Sequence, residues 1–427
     1  MSKELAIKKI ESDQYDAIMK KIYFTDEAVA AQKERYKSIV ELFCSLYNSE
    51  REIRFFSAPG RTEVCGNHTD HNRGKVMAAA INLDAVAAAA KNDEMIVRVK
   101  SAEYDKIDVI DITDLNPHVE EYGHSAGLIR GVCAGFKNRG YNIGGFDTAT
   151  MTQVLSGSGL SSSAAFEVLV GTVMNYLYND GKVSAVEVAQ IAQYAENVFF
   201  DKPCGLMDQM ACSVGGFVKI DFKDTENPVI EPVEFDFASC GHSLVITDTR
   251  ANHADLTDEY AAIRQEMEAA AAVFGKSALR DVEESEFNAN LPLVREKAGD
   301  RSVLRGLHFY GENNRVEKAA AALGNNDFDA FKSVITESGF SSYMYNQNVY
   351  SSKQPLSQPV SLALAASDHV LRGKGAWRVH GGGFAGTIQA FVPSELLETY
   401  KATLEGIFGE GACYVLNIRP IGGTEIA

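Results

Sequence analysis

Residues 157–165, with the sequence GSGLSSSAA, have the composition of an anion-binding loop. The two glycines allow the backbone to turn tightly and to approach an anion closely. An apolar run from Phe166 to Tyr178 follows at once and predicts a buried helix, whose N-terminus would direct N–H groups and its positive dipole end at the anion. The serines can donate to phosphate, or one can ligate magnesium. No lysine follows in the GxxxxGK[ST] arrangement, so the loop is not a Walker A motif. A Gly/Ser linker is the alternative, but a linker rarely runs straight into a buried helix.

A second cluster of polar residues begins at Arg61 and continues through residues 66–72, with the sequence GNHTDHN. Arginine, histidine, aspartate and asparagine between apolar strands suit recognition of a polyhydroxylated ligand by forked hydrogen bonds. His68 and His71 flank Asp70, so a metal site is one alternative, although no further His/Cys cluster completes it. A capped surface turn is the other alternative.

Two carboxylates in the middle of the chain are candidates for chemistry. Asp208 stands alone in an apolar, glycine-bordered segment, where it is either a helix cap or a catalytic group. Glu196 lies twelve positions earlier on a predicted helix and is either a magnesium ligand or a solvated carboxylate. The glycine cluster in residues 380–386 permits close backbone approach, but a hairpin turn explains it equally well.

The elements that carry these segments indicate two domains, since 427 residues are too many for one ordinary core. Residues 1–50 predict a helical N-terminal extension, and residues 51–225 an N-terminal domain of strands and helices. Residues 226–427 predict a C-terminal domain with helices near 257–273 and 315–337 and a strand–glycine–strand unit near its end. This mixture of strands and helices in two halves is typical of the α+β class.

The composition excludes several classes of protein. The chain has 45% hydrophobic and 23% charged residues, as in globular proteins, and no apolar run long enough for a membrane helix. Its charged start lacks the apolar core of a signal peptide, and its seven cysteines stand singly, so we expect a cytoplasmic protein without disulfides. A net charge of -17 argues against a nucleic-acid partner. The sequence makes no prediction of oligomeric state.

Taken in order, the segments resemble galactokinases, in the superfamily that also contains homoserine, mevalonate and phosphomevalonate kinases. The resemblance covers residues 55–395 and rests on SAPGRTEVCGNHTDHNRG, SGSGLSSSAAFEV, AENVFFDKPCGLMDQMACSVGG and VHGGGFAGTIQAFV. It implies an N-terminal mixed-sheet domain, a C-terminal ferredoxin-like α/β sandwich domain and an active site between them. It also implies transfer of the γ-phosphate of ATP to the anomeric hydroxyl of D-galactose.

The resemblance further implies a role for individual residues. Asp208 would accept or orient the proton of the C1 hydroxyl, and Arg61 would stabilise that carboxylate and the transferring phosphoryl group. Ser162 and Glu196 would hold Mg²⁺. The expected sugar contacts are Asn67, His68, Asp70, Gly205 and Tyr260. The expected ATP-phosphate contacts are Gly157, Ser158, Gly159, Leu160, Ser161, Ser162 and Ser163.

Three positions depart from the family pattern. Leu155 replaces a proline ahead of the phosphate loop, and Gly382 replaces an alanine of the glycine cluster. Asn67 replaces the glutamate that accepts a hydrogen bond from a sugar hydroxyl near C6. An amide can both accept and donate, so galactose stays the first expectation and galacturonate or another galactose-like sugar the alternative. A non-catalytic galactose and ATP sensor is a remote alternative, because the serine loop is unbroken and Asp208 is present.

Overall fold

The computed structural model describes residues 3–47, 50–154, 159–251 and 256–426. These residues form two compact units that alternate along the chain. The first unit takes the described parts of Met1–Arg61, Ala80–Gly216 and Arg419–Ala427; the second takes those of Thr62–Ala79 and Phe217–Ile418. The sequential division into residues 1–50, 51–225 and 226–427 stays a prediction.

Strands and helices are mixed in both units. The strands are β1 (Arg54–Cys65), β2 (Lys75–Lys91), β3 (Ile96–Ser101), β4 (Ile107–Asp111), β5 (Phe146–Thr152), β6 (Phe217–Asp221), β7 (Val229–Val233), β8 (His242–Asp248), β9 (Ala376–Val379), β10 (Thr387–Pro393), β11 (Cys413–Leu416) and β12 (Thr424–Glu425). The helices are α1 (Lys3–Glu11), α2 (Asp16–Tyr23), α3 (Asp26–Leu46), α4 (Ser125–Asn138), α5 (Ser162–Tyr178), α6 (Ala185–Val198), α7 (Met207–Val214), α8 (Thr257–Ala272), α9 (Glu284–Ala289), α10 (Leu291–Ala298), α11 (Asp300–Gly324), α12 (Phe328–Ser341), α13 (Pro359–Leu371) and α14 (Leu397–Phe408).

The sheet of the first unit has the strand order β12-β1-β2-β5-β3-β4. β2 and β5 are antiparallel, β3 and β5 are parallel, and β3 and β4 are antiparallel. Most side chains of β2 are small and almost all are buried, as expected for a central strand that is covered on both faces. Helix α5 is buried along most of its length, which confirms the prediction made from its apolar sequence.

In the second unit, the start of β2 pairs with β6, and β6 pairs with β7. A separate antiparallel sheet in the described residues has the order β11-β8-β10-β9. Its core includes side chains of α13 and α14, as expected for an α/β sandwich. The single helix predicted near 315–337 is wrong, because α11 ends at Gly324 and α12 begins at Phe328. Asn326 has a positive φ of 55° in this turn, and the Asp327 carboxylate accepts the backbone N–H of Ala330 to cap α12.

The N-terminal helices α1, α2 and α3 are an integral part of the first unit. Their buried side chains, among them Met19, Tyr36 and Phe43, share one hydrophobic cluster with Phe55 of β1 and Val86 of β2. The predicted helical character of residues 1–50 is confirmed for the described residues, and the helices cover the sheet instead of standing apart from it.

Asp84 of β2 ties these helices to the sheet. Its fully buried carboxylate accepts hydrogen bonds from Arg35 of α3 (2.5 Å), Tyr23 of α2 (2.7 Å) and Ser57 of β1 (2.5 Å). Arg419 also donates to it, at 3.2 Å. Burial by itself would raise the pKa of Asp84, but the guanidinium groups of Arg35 and Arg419 outweigh burial and hold the pKa below its usual value. The carboxylate therefore stays ionised and joins four segments of the unit.

We predict that Asp84→Asn lowers the free energy of unfolding by about 3–5 kcal/mol, because it leaves two buried guanidinium groups without their carboxylate. Urea unfolding followed by circular dichroism measures this loss. Asp105→Asn, in an exposed turn, is the matched control and should change stability by less than about 0.5 kcal/mol. A similarly small change in Asp84→Asn would contradict this account of the cluster.

Candidate active site

The centre of the candidate site is a forked ion pair in the first unit. Arg61 donates from Nε to Oδ1 of Asp208 at 2.7 Å and from Nη2 to Oδ2 at 2.8 Å. Paired N–H···O bonds of this kind fix both side chains in one plane and are among the strongest polar contacts in proteins. The Arg61 side chain is 10% exposed and that of Asp208 is 34% exposed, so the carboxylate remains open to a ligand.

The surrounding backbone holds the arginine in place. The N–H of Arg61 donates to the carbonyl of Leu160 at 3.1 Å, and its Nη1 donates to the carbonyl of Gly159. Gly60 is required here, because a Cβ at this position would lie 2.8 Å from the Leu160 carbonyl oxygen. The end of β1 and the serine loop are thus packed against each other through backbone atoms.

Asp208 lies in the first turn of α7, where the helix dipole favours a negative charge. Removal from water would raise its pKa, but the Arg61 guanidinium and the Ser161 hydroxyl, which donates to Oδ2 at 2.5 Å, bring the pKa below its usual value. The carboxylate is therefore ionised at neutral pH and acts as an acceptor. Sequence reasoning left Asp208 open between cap and catalyst, and its side chain faces Arg61 and Ser161.

The described part of the serine loop leads into α5 as predicted. Gly159 and Leu160 precede Ser161, which has a left-handed φ of 59° and is the N-cap of α5. Ser162 and Ser163 then form the first turn, where backbone N–H groups have no partner within the helix. Leu155, Gly157 and Ser158 lie outside the described residues. The start of a 17-residue helix is thus close to the ion pair through Ser161.

Glu196 belongs to a second polar cluster in the same unit. Its carboxylate is 2% exposed and accepts from Lys202 Nζ (2.6 Å) and from Gln209 Nε2 (2.6 Å). The same Gln209 nitrogen donates to Glu167 of α5 at 3.1 Å, so two buried carboxylates converge on one amide. Burial and the nearby charge of Glu196 hold the pKa of Glu167 well above its usual value. Gly205, the expected backbone contact to the sugar, is exposed just before α7.

The donor chemistry of this cluster fits a magnesium ion. Oε1 of Glu167 is buried and has no hydrogen-bond partner among the described residues. Lys202 is 58% exposed on its side chain, so it can leave Glu196 for water when a cation arrives. Groups of three or more His, Cys, Asp or Glu that could hold a metal are absent from the described part of the chain. Mg²⁺ does not need such a cage, since it binds through one or two carboxylates together with phosphate oxygens.

The residues expected to contact the sugar lie in the second unit. His68 has a positive φ of 59°, and its Nε2 lies 2.9 Å from the carbonyl oxygen of Gly382. Asp70 is partly exposed at the start of a 3₁₀ turn, Asp70–Asn72. The His71 ring stacks on His68 with centroids 5.9 Å apart, and both of its nitrogens are without a hydrogen-bond partner among the described residues.

Tyr260 of α8 packs against the glycine cluster. Its hydroxyl donates to the carbonyl of Gly383 at 3.1 Å, and its ring meets that of Phe384 edge to face. A Cβ at position 382 would lie 2.5 Å from a carbon of the Tyr260 ring. The departure from alanine at Gly382 is therefore explained by the close approach of this tyrosine.

Sequence reasoning missed two residues of α11 that hold the sugar loop. Glu312, which is fully buried, accepts the backbone N–H groups of Gly66 (2.9 Å) and Asn67 (3.3 Å). His308 lies 3.0 Å from the Asn67 carbonyl oxygen through Nε2 and 2.9 Å from the Ser341 hydroxyl through Nδ1. A signal was available, because a histidine and a glutamate four residues apart share one face of a helix.

Both of these buried groups have displaced pKa values. Burial would raise the pKa of Glu312, but the Arg315 guanidinium brings it down to about 2. Burial lowers the pKa of His308 to about 4, so its ring is neutral at pH 7. The Nε2 hydrogen then donates to the Asn67 carbonyl while Nδ1 accepts from Ser341.

Two family models match the chain, the "Galactokinase galactose-binding signature" over residues 41–91 and the "GHMP kinases N terminal domain" over residues 127–216. A galactokinase from Streptomyces coelicolor is 34% identical over 377 residues, which are 87% of this chain and 92% of that protein. This chain belongs to the galactokinase family. It is therefore an ATP-dependent phosphotransferase.

Solved structures agree with this membership. Galactokinase from Lactococcus lactis, complexed with galactose, superposes with a TM-score of 0.74 at 25% identity and covers 90% of this chain and 98% of that chain. A mevalonate kinase has a TM-score of 0.59 at 12% identity, covering 85% of this chain and 98% of that one, which shows the shared fold. The predicted two-domain kinase fold is confirmed. Over the described residues, the helices are all too short or too polar to cross a membrane.

The neutral, buried His308 predicts how stability depends on pH. An unfolded histidine takes up a proton near pH 6.5, but His308 in the folded protein does so only near pH 4. Its contribution to stability is therefore complete above about pH 6.5 and is lost as the pH falls towards 4. We expect His308→Gln to reduce this acid loss by up to about 3 kcal/mol, measured by urea unfolding across this range.

His369→Gln, on an exposed position of α13, is the control and should keep the pH dependence of the unmodified protein. The buried His71, whose pKa is also lowered to about 4, contributes in all three proteins. Parallel stability curves for His308→Gln and the unmodified protein would show that His308 has no part in the acid loss.

Proposed function

We propose that this chain transfers the γ-phosphoryl group of ATP to the anomeric hydroxyl of D-galactose, giving α-D-galactose 1-phosphate and ADP. The observation that carries the proposal is the forked Arg61–Asp208 pair, which leaves an ionised carboxylate open at the start of α7. Membership of the galactokinase family and the galactose-binding signature over residues 41–91 supply the substrate.

Asp208 orients the C1 hydroxyl by accepting its hydrogen bond. A carboxylate whose pKa lies below its usual value is a weak base, so it is poorly suited to removing a proton early in the reaction. Phosphoryl transfer passes through a loose transition state, in which the attacking oxygen needs alignment more than prior deprotonation. The proton therefore passes to Asp208 late, when the new P–O bond is largely formed.

Arg61 has two tasks in this proposal. Its Nε and Nη2 hold the Asp208 carboxylate in a fixed plane, while its positive charge stabilises the negative charge on the transferring phosphoryl group. For the sugar, His68, Asp70 and Tyr260 would provide side-chain contacts, and Gly205 a backbone contact. An arginine held by a carboxylate and by the Gly159 carbonyl loses little freedom when the substrate binds.

The serine loop from Gly157 to Ser163 would bind the ATP phosphates. The first turn of α5 directs backbone N–H groups and the positive end of a long helix dipole at an anion, and Ser162 and Ser163 add hydroxyl donors. Ser162 and Glu196 would hold Mg²⁺, which neutralises charge on the ATP phosphates when it is bound. The buried carboxylate of Glu196 supports this assignment, as does the neighbouring Glu167 oxygen without a partner.

We also propose a cytoplasmic location. Each of the seven cysteines is unpaired in the structure, as suits a reducing compartment. ATP, the co-substrate, is an intracellular metabolite.

The direct test of the function is a reaction of the purified chain with ATP, Mg²⁺ and D-galactose. We expect ADP release in a coupled assay and a phosphate on C1 in the α configuration by NMR. Absence of ADP release with galactose would overturn the proposal. In the same assay, Asp208→Asn should lower kcat about a thousandfold, within the range of general acid–base contributions, while galactose binding measured by calorimetry is largely kept.

Asp201→Asn is the matched control for this variant. It changes an exposed aspartate of the same connecting segment, at a positive φ of 60° that asparagine adopts readily, and should retain full activity. Turnover of Asp208→Asn equal to that of Asp201→Asn would remove Asp208 from the mechanism.

The metal assignment is tested with Glu196→Gln. We expect the Mg²⁺ concentration for half-maximal activity to rise about tenfold or more, and Mn²⁺ binding in the presence of ADP, measured by electron paramagnetic resonance, to weaken in parallel. Glu296→Gln, on an exposed position of α10, should leave both quantities unchanged. Unaltered Mn²⁺ binding in Glu196→Gln would show that the metal is held elsewhere.

A further inference from the structure

The side chain of Asn67, the residue that departs most from the galactokinase pattern, is buried in a network of the second unit. It is 1% exposed, and its Nδ2 donates both hydrogens, to Glu63 Oε1 (2.8 Å) and to the Gly381 carbonyl (2.8 Å). Its Oδ1 accepts one hydrogen bond, from Asn348 Nδ2 at 2.7 Å. An amide oxygen has two lone pairs, so the group retains one acceptor site and no donor.

The orientation of this amide follows from its neighbours. A carboxylate oxygen and a carbonyl oxygen only accept, so the NH₂ group of Asn67 must face Glu63 and Gly381. The Asn348 amide is fixed in the same way, because its Nδ2 faces Asn67 Oδ1 and the Gly382 carbonyl oxygen (3.1 Å). Rotating either amide by half a turn would bring oxygen against oxygen.

Glu63 is the residue that sets this orientation. It lies four positions before Asn67 on β1 and is 7% exposed. Its Oε1 also lies 3.4 Å from Nη2 of Arg378, whose side chain is fully buried and whose Nη1 donates to the Val64 carbonyl at 2.8 Å. A carboxylate paired in this way is a firm acceptor for one Asn67 hydrogen.

We infer that Glu63 is a positioning residue that makes Asn67 behave towards the sugar as the family glutamate does. By occupying the amide hydrogens together with Gly381, it leaves Asn67 with an acceptor and nothing to donate. The carboxylate absent from position 67 is still present beside it, at position 63. This inference rests on the proposed function, because it assumes that Asn67 faces the sugar near C6.

The arrangement has a consequence for substrate choice. A C6 hydroxyl can donate to the remaining lone pair of Asn67, whereas the carboxylate of a uronic acid has no hydrogen to offer and would meet two acceptors. Oδ1 of Asn348 adds to this effect, since it is buried and lacks a hydrogen-bond partner among the described residues. The network therefore selects galactose over galacturonate, although position 67 itself has lost its charge.

The test compares Glu63→Gln, Asn67→Glu and the double variant with the unmodified protein. Glu63→Gln lets the Asn67 amide turn and present a hydrogen, so we expect KM for galactose to rise about tenfold with kcat changed less than about threefold. The ratio of kcat/KM for galacturonate to that for galactose should rise about tenfold, which loss of folded protein alone would not produce.

The double variant supplies the rescue. Asn67→Glu alone places two carboxylates at hydrogen-bond distance and should lower Tm and raise KM for galactose more than tenfold. Glu63→Gln in combination with it provides a donor to the new carboxylate, so KM and Tm should return most of the way. Glu395→Gln, at an exposed position of the second unit, is the control and should behave as the unmodified protein.

Two results would overturn the inference: an unchanged KM and sugar ratio in Glu63→Gln, or the same effect of Asn67→Glu in both backgrounds. If Asn67→Glu does not fold, the sugar ratio of Glu63→Gln decides alone. Failure of the proposed function is distinguishable, because it would appear as absence of galactose turnover in the unmodified protein.

Discussion

The first unit depends on keeping one charge, the Asp84 carboxylate, out of water. A buried carboxylate is costly unless its oxygens are matched by donors and its charge by cations. Tyr23, Arg35, Ser57 and Arg419 meet these demands from four parts of the sequence, so the chain can satisfy Asp84 only by bringing those parts together. Ser57 precedes Arg61 by four residues on the same strand, and the constraint thus extends towards the forked pair with Asp208.

The same demand for matched donors and acceptors shapes the candidate site. Arg61 and Asp208 saturate one another along one edge, which leaves the carboxylate oriented but still a third exposed. Glu312 and His308 meet the backbone groups of the sugar loop, and Glu63 and Asn348 meet the side chain of Asn67. Each of these contacts fixes a group that sequence reasoning assigned to the ligand, so little remains to be ordered when the ligand binds.

Local patterns in the sequence were sufficient for several features. The run of small residues predicted the central strand β2, and the apolar stretch after the serines predicted the buried helix α5. Arg61, Asp208 and Ser161 were all named from their motifs, and the structure brings their side chains together. Glycines, serines and a lone aspartate constrain nearby backbone, which is why short windows of sequence identify them.

Other features depend on contacts that no local pattern encodes. Asn67 was interpreted as a donor as well as an acceptor, because its partner Asn348 lies 281 positions away. The explanation of Gly382 needed the ring of Tyr260, and the break between α11 and α12 needed the turn at Asn326. The N-terminal helices had no account until the cluster with Phe55 and Val86 was seen. Long-range pairing decides such cases, and a single sequence does not display it.

The alternation of the two units along the chain also governs the order in which the protein can be made. Arg419 and β12 complete the first unit, yet the ribosome reaches them only after it has synthesised all of Phe217–Ile418. Until then Asp84 lacks one of its cations and β1 has an open edge. The first unit must therefore wait, partly assembled, while the second emerges, and this wait exposes the nascent chain to chaperones and to mispairing at that edge.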